Sequence, residues 1–271
     1  HETAVTEALR ELEAHACHQT GRGVNKRYVT SGAIAAAVFR HGESRALDPH
    51  LHSHAFIFNV TRSDSKGGQL LALESSAIFE RTKYLTEVYR NALAREVHQL
   101  GYQIERRPNG FELTGVSPDL LERFSKRAQE RDRAIAFREA ELGRELTRDE
   151  IAILVRENRA AKQYELTPGQ VRQGQLAQVK ESELAQLQAL KARSPGMAAP
   201  ESVSLNEAIA RATEHLFERR TVVPEHGLTA EVLRETYGAH TLAAVKSALA
   251  ADDRLLRSDG QVSTQEALDR G

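Results

Sequence analysis

The stretch LHSHAFIFNVT, residues 51–61, constrains the fold more than any other part of the chain. It is rich in aromatic and β-branched residues, and it follows Pro49, which cannot donate a main-chain hydrogen bond inside a sheet. This pattern predicts a strand. Because side chains along a strand alternate between its two faces, His50, His52 and His54 share one face.

The elements around this strand point to an α+β fold class. Residues 28–41 form a second predicted strand that ends at His41, with a helix as the alternative because alanine is abundant, and residues 42–50 form a loop closed by a turn at Asp48 and Pro49. Further predicted elements are a helix over residues 2–17, a short strand over 69–74, a helix from Ile78 to Leu100 capped by Ser76 and stopped by Gly101, and a hairpin about Pro108, Asn109 and Gly110. Together they predict an antiparallel sheet with flanking helices.

The second half of the chain is predicted to be mostly helical. A helical arm begins at about residue 117, with Thr147 and Thr167 as N-caps of two later helices. The segment RSPGMAAPES, residues 193–202, has the composition of a linker. Beyond it the pattern predicts helices over 205–219, 229–238 and 241–250, a short strand TVV, and two terminal strands, RLLRS and QVST. That order is typical of a winged-helix module, for which DNA binding and scaffolding both stay open.

Length and composition set broad limits. A chain of 271 residues exceeds the ~250 that one core usually serves, so we expect two domains, residues 1–192 and 203–271. No run approaches the ~18 apolar residues of a membrane span, and we expect a cytoplasmic protein.

Cys17 is the only cysteine, which excludes an intrachain disulfide and leaves His, Asp, Glu and water as metal ligands. Residues 20–66 hold seven basic and three acidic side chains, which indicates contact with phosphate.

Strand geometry decides which histidines can share a metal ion. Donors on one ion lie no more than about 4 Å apart, whereas His50 and His54 are about 13 Å apart along a straight strand. We therefore predict that His52 and His54 are ligands, that His50 is a bystander beside the turn, and that His41 comes alongside from the preceding strand. The alternative is that these histidines are ordinary polar surface. Three neutral imidazoles would leave positions open on a divalent ion, which is typical of catalytic sites and suits Zn, Mn, Ni or Mg.

The histidine segment resembles a known family. FRHGESRALDPHLHSHAFIFNVT, residues 39–61, is similar to the metal-binding segment of MobF-type conjugative relaxases, the TrwC/TraI class of HUH endonucleases, in which the first histidine precedes the His-x-His pair by eleven residues, as His41 precedes His52. The resemblance continues through residues 85–127 and covers most of residues 1–195. It implies an HUH relaxase-like fold and carries the metal ligands over onto His41, His52 and His54.

The resemblance also implies a reaction. In this family a metal-dependent, site- and strand-specific nick in single-stranded DNA at a plasmid transfer origin proceeds through a 5′-phosphotyrosyl intermediate. The tyrosine nucleophile and an aspartate have no counterpart here, so we expect both upstream of His1 and interpret the chain as a fragment that is inactive alone. The helicase motor is expected to be missing as well, because no G-x-x-x-x-G-K-[ST] motif occurs and residues 203–271 are similar to the module that precedes the motor.

Further contacts follow from the same resemblance. Arg45 and Arg62 are expected to contact DNA phosphates, and the expected partners are single-stranded DNA, other relaxosome components and type IV secretion coupling proteins of a bacterial cell. Two alternatives from other classes remain. One is a non-catalytic DNA-binding protein with a structural histidine site, and the other is an unrelated His-metal phosphodiesterase.

Overall fold

A computed structural model describes residues 1–157, 166–193 and 203–270. Two compact units are distinguished by their internal contacts. The first comprises His1–Val38, Ala55–Thr114 and Ser194–Gly271, and the second comprises Phe39–His54 and Gly115–Arg193.

The structure is a mixture of helices and short strands, as predicted. The helices in chain order are α1 (Glu2–Ala14), α2 (Ser75–Glu80), α3 (Thr82–Gln99), α4 (Pro118–Arg123), α5 (Lys126–Leu142), α6 (Arg148–Glu157), α7 (Pro168–Leu176), α8 (Glu181–Arg193), α9 (Leu205–Phe217), α10 (Glu225–Thr236), α11 (Leu242–Ala250) and α12 (Gln265–Arg270). The strands in chain order are β1 (Cys17–Thr20), β2 (Arg27–Thr30), β3 (Ala36–Glu43), β4 (Pro49–Ile57), β5 (Thr61–Ser63), β6 (Gln69–Leu71), β7 (Ile104–Arg107), β8 (Gly110–Leu113), β9 (Val223–Pro224), β10 (Leu255–Ser258) and β11 (Gln261–Thr264).

The strands form antiparallel ribbons. In the described residues β1 pairs with β2, β3 with β4, β5 with β6 and β7 with β8, and β11 lies between β10 and β9. The predicted hairpin about Pro108, Asn109 and Gly110 is confirmed, with Arg107 opposite Gly110. The α+β class is therefore confirmed, although the pairing is divided among several ribbons.

Two of the predicted strands were drawn too long. Residues 28–41 form β2 and β3, separated where Gly32 adopts a φ of 61° that a strand cannot contain. Residues 51–61 likewise belong to β4 and β5, because the chain turns after Ile57 and the Val60 N–H donates to the Phe58 carbonyl. A glycine conformation interrupts the strand hydrogen bonding in the first case, and a local hydrogen bond interrupts it in the second. The pattern of apolar residues along the sequence does not reveal either break.

Several predicted boundaries were also wrong. The helix expected from Ile78 to Leu100 is two helices, α2 and α3, that meet at Arg81. The N-cap of α2 is Glu74 and not Ser76, because the Glu74 carboxylate accepts hydrogen bonds from the N–H and the hydroxyl of Ser76. Gly101 does end α3 with a φ of 85°. In addition, α1 ends at Ala14 and not at residue 17, and α10 begins at Glu225 and not at residue 229. Strand β1 was missed, because its residues were predicted as the end of a helix and the start of a loop.

The caps in the helical arm agree with the sequence. Thr167 forms a capping box with Gln170, and Thr147 accepts from the Glu150 N–H while Glu150 accepts from the Thr147 N–H. The predicted helix that begins after Thr147 is described only as far as Glu157. The predicted linker 193–202 lies outside the described residues except for Arg193. The domain boundaries drawn from it therefore stay a prediction.

The C-terminal module, residues 203–270, has the predicted order of elements followed by one unpredicted helix, α12. Its core residues, such as Leu228, Leu233 and Val245, join Tyr84 and Val88 of α3 in one buried cluster. In the same unit α1 packs along α3. Helices α1 and α3 and the module therefore share one core.

A buried carboxylate, Glu11 of α1, lies inside this unit. It accepts hydrogen bonds from Tyr84 Oη at 2.7 Å, from Lys246 Nζ at 2.6 Å and from His15 Nε2 at 3.0 Å. Burial acts to raise the pKa of Glu11, but the hydrogen bonds from His15, Lys246 and Tyr84 outweigh it and lower this pKa from 4.5 to about 2. The carboxylate is therefore held in its ionised form.

This shift predicts an acid-sensitive contribution to stability. Because the folded state lowers the pKa of Glu11, the contribution, up to about 3 kcal/mol, is present above pH 4.5 and is lost as the pH falls toward about 2. Glu11→Gln should lower the free energy of unfolding at pH 7 and flatten its pH dependence in that window, as measured by urea unfolding. The exposed Glu266→Gln is the control. An unchanged pH profile in Glu11→Gln would contradict the assignment.

Candidate metal centre

Strands β3 and β4 form the hairpin that carries the histidine cluster. Hydrogen bonds fix its two ends, from the Ser44 N–H to the Asp48 carbonyl and from the Phe58 N–H to the Ala35 carbonyl. Strands β3 and β4 are hydrogen-bonded neighbours, and the centroid of the His41 ring lies within 5.4 Å of those of His52 and His54. The sequence expectation that His41 lies alongside the His-x-His pair is therefore met by the pairing of the strands.

The rings of His41, His52 and His54 form a nearly equilateral triangle. Their centroids are 5.4 Å apart for His41 and His52, 5.2 Å for His41 and His54, and 5.1 Å for His52 and His54. Three imidazoles on one tetrahedral ion, with metal–nitrogen distances of about 2.1 Å, would place their centroids about 5 Å apart. The spacing of the rings fits a metal centre.

The orientation of the rings is a separate matter. Among the residues that the structure describes, no group of three or more His, Cys, Asp or Glu side chains is arranged to hold a metal ion as it stands. The His41 and His52 rings are stacked with an interplanar angle of 27°, and the His54 ring is close to perpendicular to the His52 ring, at 83°. The hairpin thus sets the separation of the three rings but leaves their nitrogens unaligned.

His52 has a defined tautomer. Its Nδ1 lies 2.8 Å from the His50 carbonyl oxygen, which can only accept, so Nδ1 carries the proton. Nε2 then has a free lone pair, the arrangement in which a backbone carbonyl orients a metal-ligating histidine. His50 therefore acts on this site through its main chain.

His50 differs from the other three histidines. Its ring stacks on His52 with centroids 4.8 Å apart, and its pKa is lowered by burial and by the nearby charges of His52 and Arg127. The turn lies at residues 45–46 and not at Asp48 and Pro49 as predicted, so Pro49 is the first residue of β4 and His50 already lies in the strand. A proline fits there because the first residue of a strand need not donate to the ladder.

The loop of the hairpin is fastened to the helices of its own unit. Asp48 is 2% exposed and accepts from Lys126 Nζ at 2.5 Å and from the Lys126 N–H at 3.0 Å. Ser44 Oγ accepts from the Asp48 N–H, and Gln175 Nε2 donates to the carbonyl of Leu47, a residue held at a φ of 61°. These contacts hold the end of the loop at Asp48, directly before β4 and two residues before His50.

The two arginines predicted to contact DNA lie in different units. Arg45 is half-buried in the hairpin loop of the second unit, beside the start of β4. Arg62 lies on β5 in the first unit, exposed, with its Nε 3.4 Å from the Asp64 carboxylate. Sequence reasoning missed Lys126 as the partner of Asp48, because the two residues are 78 positions apart and no local pattern connects them.

Comparison with known proteins identifies the family. The family model described as TrwC relaxase matches residues 1–182, a range that contains all the histidines of the hairpin. The chain belongs to the TrwC relaxase family. Its fold resembles that of the conjugative relaxase TrwC in complex with oriT DNA, with a TM-score of 0.57 and 29% identity over 73% of this chain and 64% of that chain.

Other relatives agree. The metal-bound structure of TrwC with oriT DNA gives a TM-score of 0.57 at 28% identity, covering 73% of this chain and 63% of that one, and a copper-bound structure gives 0.56 at 28%, covering 73% and 62%. The multifunctional conjugation protein TraI of Escherichia coli strain K12 is 31% identical over 48% of this chain and 8% of its own length. A second Escherichia coli TraI is 25% identical over 81% of this chain and 13% of its own length. The chain thus spans only a small part of these TraI relatives.

None of the described helices is both long enough and apolar enough to cross a membrane.

The Asp48 anchor yields a stability prediction. Asp48→Asn removes the charge that Lys126 faces, and we expect a loss of about 2 kcal/mol in the free energy of unfolding, less than for a fully buried pair because Lys126 is 35% exposed. Urea unfolding measures this loss. The control is Asp64→Asn, which removes an 87% exposed partner of Arg62 and should change stability by less than about 0.5 kcal/mol. Equal effects in the two variants would refute the anchor.

Proposed function

We propose that this chain is part of a relaxase that nicks single-stranded DNA at a plasmid transfer origin and transfers the cut strand, in a metal-dependent reaction with a 5′-phosphotyrosyl intermediate. The observation that carries the proposal is the triangle of His41, His52 and His54 in a chain of the TrwC relaxase family. The eleven-residue spacing from His41 to His52 agrees with it.

His41, His52 and His54 would hold a divalent ion. The ring spacing fits, and the proton on Nδ1 of His52 leaves Nε2 available, so that rotation of the rings is the remaining requirement. Three neutral ligands leave the ion its full charge, and when bound it supplies Lewis-acid polarisation of a phosphoryl oxygen. Zn, Mn, Ni and Mg remain alternatives, since three imidazoles with added waters accommodate each of them.

The residues around the ligands position them. The His50 carbonyl orients the His52 ring, and the Asp48–Lys126 pair holds the strand from which His52 and His54 project. Such preorganisation aligns a phosphate without reorganisation at the moment of reaction. Arg45, in the hairpin loop of the same unit, is proposed to contact a DNA phosphate, and Arg62 is proposed to contact DNA from the other unit.

The nucleophile is proposed to be a tyrosine supplied by a segment that precedes His1, together with an aspartate from the same segment. No tyrosine occurs among the described residues of the unit that contains the histidines. Tyr84, in the other unit, is 2% exposed and donates to Glu11. Burial raises the pKa of Tyr84 well above its ordinary range, and so do the hydrogen bond to Glu11 and the charge of Glu11. Such a phenol is a poor nucleophile.

The proposed partner is single-stranded DNA from a transfer origin. Support comes from TrwC, whose structures are complexes with oriT DNA. Other relaxosome proteins and type IV secretion coupling proteins are proposed as further partners in the bacterial cytoplasm.

Metal binding by this chain tests the ligand set directly. His41→Ala, His52→Ala and His54→Ala should each weaken Zn²⁺ or Mn²⁺ binding by about 100-fold or more in isothermal titration calorimetry, because each removes one of three protein ligands. His50→Ala keeps the backbone carbonyl that orients His52 and should change the affinity by less than about threefold. If His50→Ala abolishes binding while His41→Ala does not, the ligand set is wrong.

Nicking tests the function. A protein that contains this chain and the preceding segment should form a covalent adduct with a labelled single-stranded oligonucleotide of its own transfer origin, and mass spectrometry should place the adduct on a tyrosine. EDTA and His52→Ala should abolish the adduct, and His50→Ala should not.

The two alternatives give different results in the same assay. A phosphodiesterase would release a free 5′-phosphate without an adduct. A DNA-binding protein would bind the oligonucleotide uncut. The absence of a tyrosine-bearing segment in the coding DNA ahead of His1 would also contradict the proposal.

A further inference from the structure

The C-terminal module has the element order of a DNA-binding winged helix, but its helices contact other helices of the same chain. In helix-turn-helix proteins the second helix of the pair enters the major groove, and its side chains must be free to reach bases and phosphates. In this module the pair is α10 and α11, so α11 occupies the position of the recognition helix. The family model that matches residues 1–182 does not include the module.

Helix α11 has a composition poorly suited to DNA. Its sequence is LAAVKSALA, with Leu242, Val245 and Leu249 buried in the core. The remaining positions are alanines, one serine and one cation, Lys246. Bidentate base readout depends on Arg, Lys, Asn or Gln, and affinity depends on cations free to pair with phosphate. Only Lys246 meets either requirement.

Lys246 is already engaged within the chain. Its Nζ lies 2.6 Å from the Glu11 carboxylate of α1, which also accepts from Tyr84 of α3. The carboxylate is 8% exposed, so the charge of Lys246 compensates a group that would otherwise be poorly solvated. DNA would have to displace this contact to use the lysine.

The turn between α10 and α11 is bound to α3 by a second contact. Asn91 is fully buried; its Nδ2 donates to the His240 carbonyl at 2.9 Å, and its Oδ1 accepts from the Gly238 N–H at 2.7 Å. One amide thus satisfies two main-chain groups of the turn. Tyr237, the residue before Gly238, donates to Glu87 of α3 at 3.0 Å.

The backbones also approach closely at this turn. Gly238 has a φ of 81°, and a Cβ there would lie 2.6 Å from the Arg95 nitrogen and 2.7 Å from the Ala94 carbonyl carbon of α3. Any side chain would push the turn away from α3. Gly260, in the β10–β11 turn, has a similar φ of 72° but nothing within 4 Å of its Cβ position. The constraint at Gly238 is therefore imposed by contact with α3 as well as by conformation.

We propose that the α10–α11 surface of the module is a protein-binding surface whose partner is the α1–α3 helix pair of the same chain, and that α11 therefore does not enter a DNA groove. The contact from Lys246 to Glu11, the double hydrogen bond of Asn91 and the close approach at Gly238 all lie on this surface. The inference goes beyond the proposed nicking function and does not depend on it.

Hydrogen–deuterium exchange on the whole chain tests the proposal. Lys246→Ala should speed exchange of the α1 amides about threefold or more, because the substitution in the module removes a contact to α1. The matched control, Arg254→Ala, removes an ion pair internal to the module and should leave α1 unchanged.

A second pair of variants separates contact from conformation. Gly238→Ala and Gly260→Ala incur a similar conformational cost, but only Gly238→Ala should speed exchange in α3, by about tenfold or more. If Gly238→Ala fails to fold while Gly260→Ala folds, the close approach is supported by that difference. Unchanged exchange in both α1 and α3 with the Lys246 and Gly238 variants would overturn the proposal.

Duplex DNA provides the opposing measurement. Binding of the whole chain to a fluorescent duplex, followed as salt is raised, should be the same for Lys246→Ala and the unsubstituted chain. A recognition helix would instead lose affinity and about one unit of salt slope with that lysine. Such a loss would overturn the proposal and favour DNA binding through α11.

Discussion

One ion pair, between the buried Asp48 and the partly exposed Lys126, underlies the candidate metal centre. A carboxylate that is 2% exposed is costly unless its charge is compensated and its oxygens accept hydrogen bonds, and Lys126 provides both through Nζ and its N–H. The pair fixes the point at which the loop becomes strand β4. The positions of His50, His52 and His54 follow from that point, because alternation along a strand leaves no further freedom.

The candidate centre combines a rigid frame with adjustable ligands. The strands set the ring separations at 5.1–5.4 Å, and one backbone carbonyl sets the tautomer of His52, while the ring orientations differ from those that a shared ion would require. The contribution of His50 is made by its main chain. Its carbonyl accepts from His52 Nδ1 and orients that ring, while the His50 ring stacks on His52 outside the triangle. Neighbouring histidines on this strand therefore differ in role: His50 contacts His52 through its carbonyl, whereas the rings of His52 and His54 belong to the triangle.

The C-terminal module shows why element order alone does not assign function. Its helices follow the winged-helix order, yet α11 presents one cation, Lys246, and that cation is paired with Glu11. The low pKa of Glu11, about 2, comes from hydrogen bonds donated by His15, by Lys246 of the module and by Tyr84 of α3, which outweigh the effect of burial. A surface that could read DNA in another protein is here a contact within the chain.

The sequence by itself determined what depends on local periodicity. The sequence predicted the strand that carries His52 and His54, the hairpin at Gly110, the N-cap at Thr167 and the order of the module's elements up to β11. Each of these follows from spacing or from a capping residue within a few positions. The likeness to relaxases was likewise visible in the spacing of His41 and His52. These features need no knowledge of distant partners.

Only the tertiary structure decided what depends on groups far apart in the chain. Lys126 is 78 residues from Asp48 and Lys246 is 235 residues from Glu11, so no local sequence pattern predicts either ion pair. The division of the predicted strand at Gly32 arises in the same way, because main-chain groups of Ser31 and Gly32 bond to Ala16 and leave the ladder. Buried polar groups must be satisfied by whatever the fold brings near, and that choice is made by packing rather than by sequence spacing.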